Sequence, residues 1–408
     1  MLVLEYKVKG KNSQYQAIEE AILTTQFVRN KALRYWMDAS SKLKIDRFAL
    51  NKYSTELRNE FQFVKDLNSM AVQSGSERAW TAIKRFYENC KAKVKGKKGY
   101  PRFQTDNRSV EYKTTGWSLH SSKRQITFTD KKGIGKLKLL GKWEIHTYPV
   151  KAIKRVRLVR RANGYYCQFC VDVESSDIQP KTGQEIALDV GLESFYTDSN
   201  GHHEPNPKFL RTAEKAVKHA QRRIYKKVLD SNGRRRARSR YSRKHLRISR
   251  QRDEHAKKLA RNLCKSNDLV AYENLQVSNL LKNQCLAKSI SDASWYLFRQ
   301  WIEYFAQKFG KLAIAVPPHY TSQKCSVCGS TVKKSLSTRA HICKCGCELH
   351  RDLNAALNIL RHAKSIGGHP RSNATGVETS TQIGENLFGK VSTLIVESPE
   401  LIRGSVNP

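Results

Sequence analysis

Three acids stand where carboxylates can converge. Asp189 closes the apolar run of EIALDVG, Glu273 closes that of DLVAYEN, and Asp352 opens the helical stretch that continues through LNAALNILRHA. Acids at the ends of ordered strands and at the start of a facing helix can gather on one sheet edge, where they bind two hard cations through oxygen ligands. Two such ions, roughly 4 Å apart, activate a water and stabilise the leaving oxygen in phosphodiester hydrolysis, which a lone carboxylate cannot do. Taken singly, each acid reads as an ordinary turn or cap residue, and Asp352 resembles a helix cap. Their joint occurrence, with strongly basic helices between them, points to phosphodiester chemistry.

The cysteines form a second centre. Cys325-x-x-Cys328, followed fifteen residues later by Cys343-x-Cys345, supplies four thiolates in two knuckles, the ligand set of a tetrahedral structural zinc. Gly329 and Gly346 permit the tight turns after each pair. Cys347 leaves the second pair open, since Cys343 or Cys345 can be matched with it, and His341 and His350 are lesser candidates. Five of the ten cysteines fall within 23 residues, which argues for metal in a reducing cytosol rather than a disulfide frame.

Between the first two acids lies a strongly basic stretch. Twenty Lys and Arg face four acids between Arg211 and Arg261, a density that repels itself unless phosphates lie nearby. Arg234, Arg235, Arg236, Arg238 and Arg240 are the candidate backbone contacts there. A second basic segment, KAKVKGKKGYPRF, sets Lys97, Lys98 and Arg102 around Tyr100 and Phe103, rings that either stack on bases or anchor the loop in the core.

The elements that must position these groups can be read from periodicity. Residues 2–9 alternate as a strand, and Ser13 to about Asp38 reads as a helix with Ile18, Ala21, Ile22, Thr25, Val28 and Ala32 on one stripe. A further helical run spans Asn68 to Cys90, and Gly99 with Pro101 marks a break. From Ser109 to about Ser176, short alternating runs between turn residues indicate a small β domain. EIALDVG and SFYTDSNG then read as two strands, followed by long basic helices in which Ala213, Val217, Ala220, Ile224 and Val228 repeat at helical spacing. GRRRARSR at 233–240 is expected to separate that helix from the next. DLVAYEN is a strand, SWYLFRQWIEYFAQKF an amphipathic helix and KLAIAVPP a further strand, after which the cysteine cluster interrupts the chain before a last helix. The stretch from Arg371 onward is expected to be disordered.

Length and composition agree with several folded units. The chain has 408 residues, 39% of them hydrophobic, with six Trp and 75 Lys and Arg against 36 Asp and Glu, a formal charge of +39. Such a chain can build a core, and no apolar run approaches the ~18 residues that a membrane span requires. A charge of +39 implies a polyanionic partner, with nucleic acid foremost. The start, MLVLEYKVKGKN, places Lys7, Lys9 and Lys11 where a secretory signal needs its apolar stretch, so a cytoplasmic, nucleoid-associated location is expected.

Taken in order, KKGYPRF, IALDVGLESFYTDSNG with NPKFLR, RRRARSRYSRKHLRISRQRDEHAKKLA, VAYENLQVSNL, and TSQKCSVCGS through CKCGCELHRDLNAALNI resemble TnpB, the transposon-encoded relatives of the type V CRISPR effector nucleases. QFVRNKAL fits that family's first helix. The resemblance implies an α+β multidomain chain: an RNase H-like (RuvC) nuclease domain split in three (181–318 and 348–370) around an inserted zinc ribbon (319–347), with an N-terminal wedge-like β-barrel (1–12 and 95–180) interrupted by a helical recognition lobe (13–94), and a tail at 371–408. It implies that Asp189, Glu273 and Asp352 are the catalytic acids holding two Mg2+ ions, and that Cys325, Cys328, Cys343 and Cys345 hold a structural Zn2+. The second knuckle departs from the family's commoner C-x-x-C.

The activity so implied is RNA-guided cleavage of double-stranded target DNA beside a short adjacent motif. Its guide is a noncoding RNA from the transposon end, carried by one copy of the chain. Base pairing reads the sequence, while the protein grips an A-form duplex by its backbone. Motif contacts are expected in the barrel and recognition lobe, with Gln73 and Ser76 as candidates. Two other readings share the same residues: an RNA-guided DNA-binding repressor that does not cut, and a transposase acting on transposon ends.

Overall fold

The computed structural model describes residues 2–39, 45–93, 96–120, 124–141, 145–172, 177–333 and 338–367. The expected disordered tail, 371–408, lies outside the described residues. The architecture is α+β, and the chain divides into two compact units at Glu174/Ser175. Among the described residues no helix is long and apolar enough to cross a membrane.

The first unit opens with strand β1 (Leu2–Lys9), in which Leu4, Tyr6 and Val8 are buried while the residues between them are not. Four helices follow: α1 (Asn12–Asp38), α2 (Arg47–Glu60), the single turn α3 (Gln62–Lys65) and α4 (Ser69–Lys91). The stripe expected on α1 is the buried one, with Ile18, Ala21, Ile22, Thr25, Val28 and Ala32 all inside. Asn68 starts α4 by accepting from the backbone of Met70 and Ala71 at 2.9 and 3.3 Å, which satisfies two donors that the helix leaves unpaired.

Six strands complete this unit: β2 (Ser109–Tyr112), β3 (Trp117–His120), β4 (Gln125–Phe128), β5 (Gly135–Leu140), β6 (Ile153–Arg161) and β7 (Gly164–Val171). With β1 they make one antiparallel sheet in the order β2-β6-β7-β1-β5-β4-β3. Tyr6, Val8, Tyr112, Leu137, Leu158 and Phe169 from the sheet share one core with Ile18, Ile22 and Val28 of α1.

The same sheet buries a charge cluster. Glu111 on β2 stands opposite Arg157 on β6, bonds to its guanidinium, and lies 3.5 Å from Arg155. Burial pushes the Glu111 carboxyl up, but Arg157, Arg78 and Arg155 outweigh it and hold the group below its ordinary value. The stabilisation is therefore in force above the unfolded carboxyl's pKa and is lost as pH falls through the folded one. Glu111→Ala, which removes the buried carboxylate on which these arginines converge, is expected to lower the unfolding free energy by about 3 kcal/mol at neutral pH. Denaturant unfolding of the two chains measures this, and an unchanged midpoint would contradict it.

The second unit is a sheet between helical layers. β8 (Glu185–Val190), β9 (Ser194–Asp198) and β10 (His203–Pro205) form a meander, α5 (Phe209–Tyr225) and α6 (Asn232–Ser266) follow, and β11 (Leu269–Glu273) returns parallel to β8. After α7 (Val277–Leu280), α8 (Ala287–Ala293) and α9 (Trp295–Phe309), β12 (Leu312–Val316) adds parallel to β11, giving the order β10-β9-β8-β11-β12. A short hairpin, β13 (Ala340–Ile342) with β14 (Glu348–His350), precedes the final helix α10 (Arg351–Gly367).

Strand alternation sends neighbouring residues to opposite faces. Ile186, Leu188, Val270 and Tyr272 pack with α6, α8 and α9, whereas Ala187, Leu269, Ala271 and Val316 pack with Ile359 and Ala363 of α10.

The expected helix break at 233–240 is corrected. α5 ends at Tyr225, Val228 is 78% exposed beyond it, and the arginine run lies inside the opening turns of α6. Ser231 caps that helix by accepting from the Arg234 N–H at 3.1 Å, and arginine is a good helix former, so Gly233 is absorbed in the first turn.

Candidate active site and metal centre

The register of β8 on β11 positions the first two acids. Leu188 pairs with Tyr272, so the next residues, Asp189 and Glu273, emerge side by side at the carboxyl ends of two parallel strands. Each lies two residues beyond an alanine, Ala187 or Ala271, that packs with α10, and so each shares that face of the sheet. α10 brings Asp352 in its first turn. All three acids are half-buried, inside the protein but open to solvent.

The other two acids act electrostatically on Asp189. Burial, then the charges of Glu273 and Asp352, push the Asp189 carboxyl well above the usual carboxylate range, with Arg351 acting against them. Burial also raises Glu273, opposed by a hydrogen bond that the Thr321 hydroxyl donates to it. Arg351 Nε lies 3.1 Å from Asp352 Oδ1, and Arg339 spans Asp352 at 3.6 Å and Glu193 at 2.8 Å. A carboxyl raised by burial and by two neighbouring acids marks a negative site that a divalent cation would balance, and oxygen donors alone suit a hard ion such as Mg2+. The constellation is looser than the cysteine centre: among the described residues, the groups whose ligand atoms all lie within 4.8 Å of one another are cysteine sets.

Cys325, Cys328, Cys343 and Cys345 form one such set. Cys325 Sγ is 3.7 Å from Cys345 Sγ, and Cys328 Sγ is 3.5 Å from Cys343 Sγ. A tetrahedron with metal–sulfur bonds of about 2.3 Å has edges of about 3.8 Å, so the spacing fits a tetrahedral metal. Gly329 (φ 77°) and Gly346 (φ 84°) take the left-handed conformation that closes each knuckle, with the Gly329 N–H donating to Cys325 O at 2.9 Å. Hydrogen bonds from Ser330, its hydroxyl first, pull the Cys328 thiol down to about 6, which favours a thiolate near neutral pH. Cys325, His341 and Cys347 make a second compact set, so Cys347 is also within reach.

Sequence reasoning missed the residues that tie this module to α10. Asn354 and Asn358 are buried on that helix, at 0% and 4% exposure. The Asn354 amide donates to Lys324 O at 2.8 Å and accepts from Ser326 N–H at 2.9 Å, while Asn358 donates to Thr321 O at 2.9 Å and Lys324 O at 2.7 Å. Arg361 donates to Ser326 O. The available signal was the pair of asparagines four residues apart in LNAALN, which helical spacing places on one face.

The candidate nucleic-acid residues divide. Arg235, Arg236, Arg238 and Arg240 are exposed on α6, whereas Arg234 is half-buried and donates to Lys227 O at 3.2 Å. Lys97 and Arg102 are exposed and Lys98 is half-buried. Tyr100 rests against Trp36 and Phe86 at centroid distances of 5.6 and 5.3 Å yet stays 55% exposed, and Phe103 is 47% exposed. Gln73 accepts from Lys113 at 3.1 Å. Ser76 is fully buried, its hydroxyl donating toward Asn51 and Gln73, so it is held inside the helical bundle rather than offered to a nucleic acid.

Comparison with known proteins covers both halves of the site. The OrfB_IS605 family, described as "Probable transposase", matches residues 168–284, the stretch with Asp189 and Glu273, and the "Cas12f1-like, TNB domain" matches 295–359, with the cysteines and Asp352. A Streptomyces pristinaespiralis protein named "Putative RNA-guided DNA endonuclease" is 27% identical over 365 residues, covering 87% of this chain and 88% of its own. "Putative RNA-guided DNA endonuclease InsQ" of Escherichia coli (strain K12) is 26% identical over 338 residues, covering 75% of this chain and 77% of its own. A solved Cas12f1-sgRNA-target DNA complex aligns over 88% of this chain and 98% of that one at 16% identity, with a TM-score of 0.32. The chain thus carries an OrfB_IS605 segment followed by a Cas12f1-like TNB segment, and over most of its length it resembles relatives named RNA-guided DNA endonucleases.

Proposed function

We propose that this protein is a transposon-encoded, RNA-guided DNA endonuclease whose Mg2+-dependent cutting centre is Asp189, Glu273 and Asp352. The observation that carries this reading is the meeting of Asp189 and Glu273 at the carboxyl ends of β8 and β11 with Asp352 at the start of α10, close enough for each neighbour to raise the Asp189 carboxyl. In this reading the mixed sheet of the second unit is an RNase H-like (RuvC) nuclease, interrupted by a zinc ribbon at 319–347. The antiparallel sheet of the first unit is the wedge, and the helices at 13–94 are the recognition lobe.

Asp189, Glu273 and Asp352 are the residues that would hold the metal, and their oxygen-only donor set suits it. Two bound Mg2+ ions supply an activated water and charge stabilisation at the leaving oxygen, the chemistry that leaves a 5′-phosphate and a 3′-hydroxyl. The chain's own part is to fix these acids on strand ends and a helix start, where backbone hydrogen bonds keep them in place. Arg339 and Arg351 place positive charge beside Asp352, which limits repulsion in the metal-free state. The four cysteines hold zinc in a structural role, since four thiolates leave no open coordination position.

Excess positive charge supports a nucleic-acid partner, with a guide RNA and double-stranded target DNA gripped by Arg235, Arg236, Arg238 and Arg240 and by the loop carrying Lys97 and Arg102. One copy of the chain per RNA is the assembly this reading takes. The test is sequencing of RNA that co-purifies with the chain expressed beside its flanking DNA. One discrete RNA that ends in sequence from beyond the transposon end is expected. Heterogeneous cellular RNA that salt removes would contradict the reading, as would strand-transfer products from transposon ends without RNA.

A further inference from the structure

We propose that Thr321 is a positioning residue for Glu273, and that Asn354 and Asn358 fix Thr321 so that the cysteine module sets the aim of an acid in the cutting centre. This rests on the reading of Glu273 as a metal-holding acid.

Thr321 is 6% exposed and follows Tyr320, whose φ of 60° is left-handed in a residue that has a Cβ. That turn is closed by Lys324 N–H donating to Tyr320 O at 2.9 Å. It directs the Thr321 hydroxyl to the Glu273 carboxylate while the Thr321 carbonyl accepts from Asn358. Cys325, the first cysteine, lies four residues on, and Asn354 and Asn358 both donate to Lys324 O immediately before it. The span 321–326 is therefore pinned to the acid at one end and to α10, the helix that carries Asp352, along its length.

Two buried amides are costly unless their donors are satisfied. Both Asn358 donor contacts, and the Asn354 contacts at 2.8 and 2.9 Å, go to this one span. The position of the span is thus specified by α10 rather than by solvent-exposed loop contacts. A hydroxyl that donates to a carboxylate holds its rotamer and leaves the lone pairs on the far side for a cation, the arrangement by which outer hydrogen bonds orient metal-holding groups.

The test uses Mn2+ as the probe, read by electron paramagnetic resonance on the full chain with its co-purified RNA. The Asp189→Ala chain carrying the same RNA supplies the background. Thr321→Val keeps the shape and removes the hydroxyl, and is expected to weaken Asp189-dependent Mn2+ binding about tenfold, with Thr321→Ser restoring it. Zinc content should stay at the parent value in both, which separates positioning from collapse of the module. Thr321→Val binding Mn2+ as tightly as the parent would overturn the proposal and leave the cutting centre standing. A parent that binds no more Mn2+ than the Asp189→Ala chain would overturn both.

Discussion

Asp189→Ala is expected to reduce target cleavage by at least about a thousandfold while leaving RNA and target binding intact. Asp189 is the central member of the acid set, because both Glu273 and Asp352 act on it, whereas no such effect of Asp352 on Glu273 is resolved. Losing the central oxygen donor would remove a ligand from any cations the set holds, on which the proposed hydrolysis depends. The same substitution relieves like-charge crowding in a half-buried place, so the metal-free chain should unfold at the same temperature as the parent or a higher one. Cleavage of a matched plasmid, a binding titration and a thermal melt measure the three quantities. Loss of cutting together with loss of folding would contradict this account of Asp189.

Loss of the metal that the four cysteines are proposed to hold is expected to be the second large effect. Elemental analysis should find one zinc per chain, and Ser in place of Cys325, Cys328, Cys343 or Cys345 should abolish it, while Cys347→Ser should retain it. The first four supply the four ligands of a tetrahedral site, with sulfur spacings of 3.5 and 3.7 Å that fit one, whereas the alternative set supplies three. Metal binding in comparable zinc-finger peptides contributes roughly 10–16 kcal/mol of apparent folding free energy. A zinc-free chain should accordingly lose order in the knuckles, detected as rapid proteolysis between residues 318 and 350. Zinc lost on Cys347→Ser, and kept on Cys345→Ser, would assign the alternative pairing.

The sequence exposed the strands and helices that carry the acids because their apolar periods are long and clean. EIALD and LVAYE read as strands and fold as β8 and β11, and LNAALNILRHA falls within α10. Periodicity did not disclose register, and it is register that sets Asp189 beside Glu273. The basic run at 233–240, expected to separate two helices, lies inside α6, because Ser231 is the feature that starts that helix. Arg339 and Thr321 were invisible as site residues, since each reaches an acid distant in sequence, Asp352 and Glu273. Ser76 is a candidate for motif contact from sequence, but it is buried and its hydroxyl bonds to Asn51, 25 residues away, a pairing that helical spacing does not disclose.

Guide exchange tests the central claim most directly. The RNA that co-purifies with the chain is rebuilt with a new target-pairing segment, and cleavage of two plasmids, one matched to each guide, is measured with and without Mg2+. Cutting should move to the plasmid matched by the new segment, require Mg2+, and vanish with Asp189→Ala. Cutting that ignores the exchanged segment, or that persists in the Asp189→Ala chain, would contradict a guided nuclease centred on these three acids.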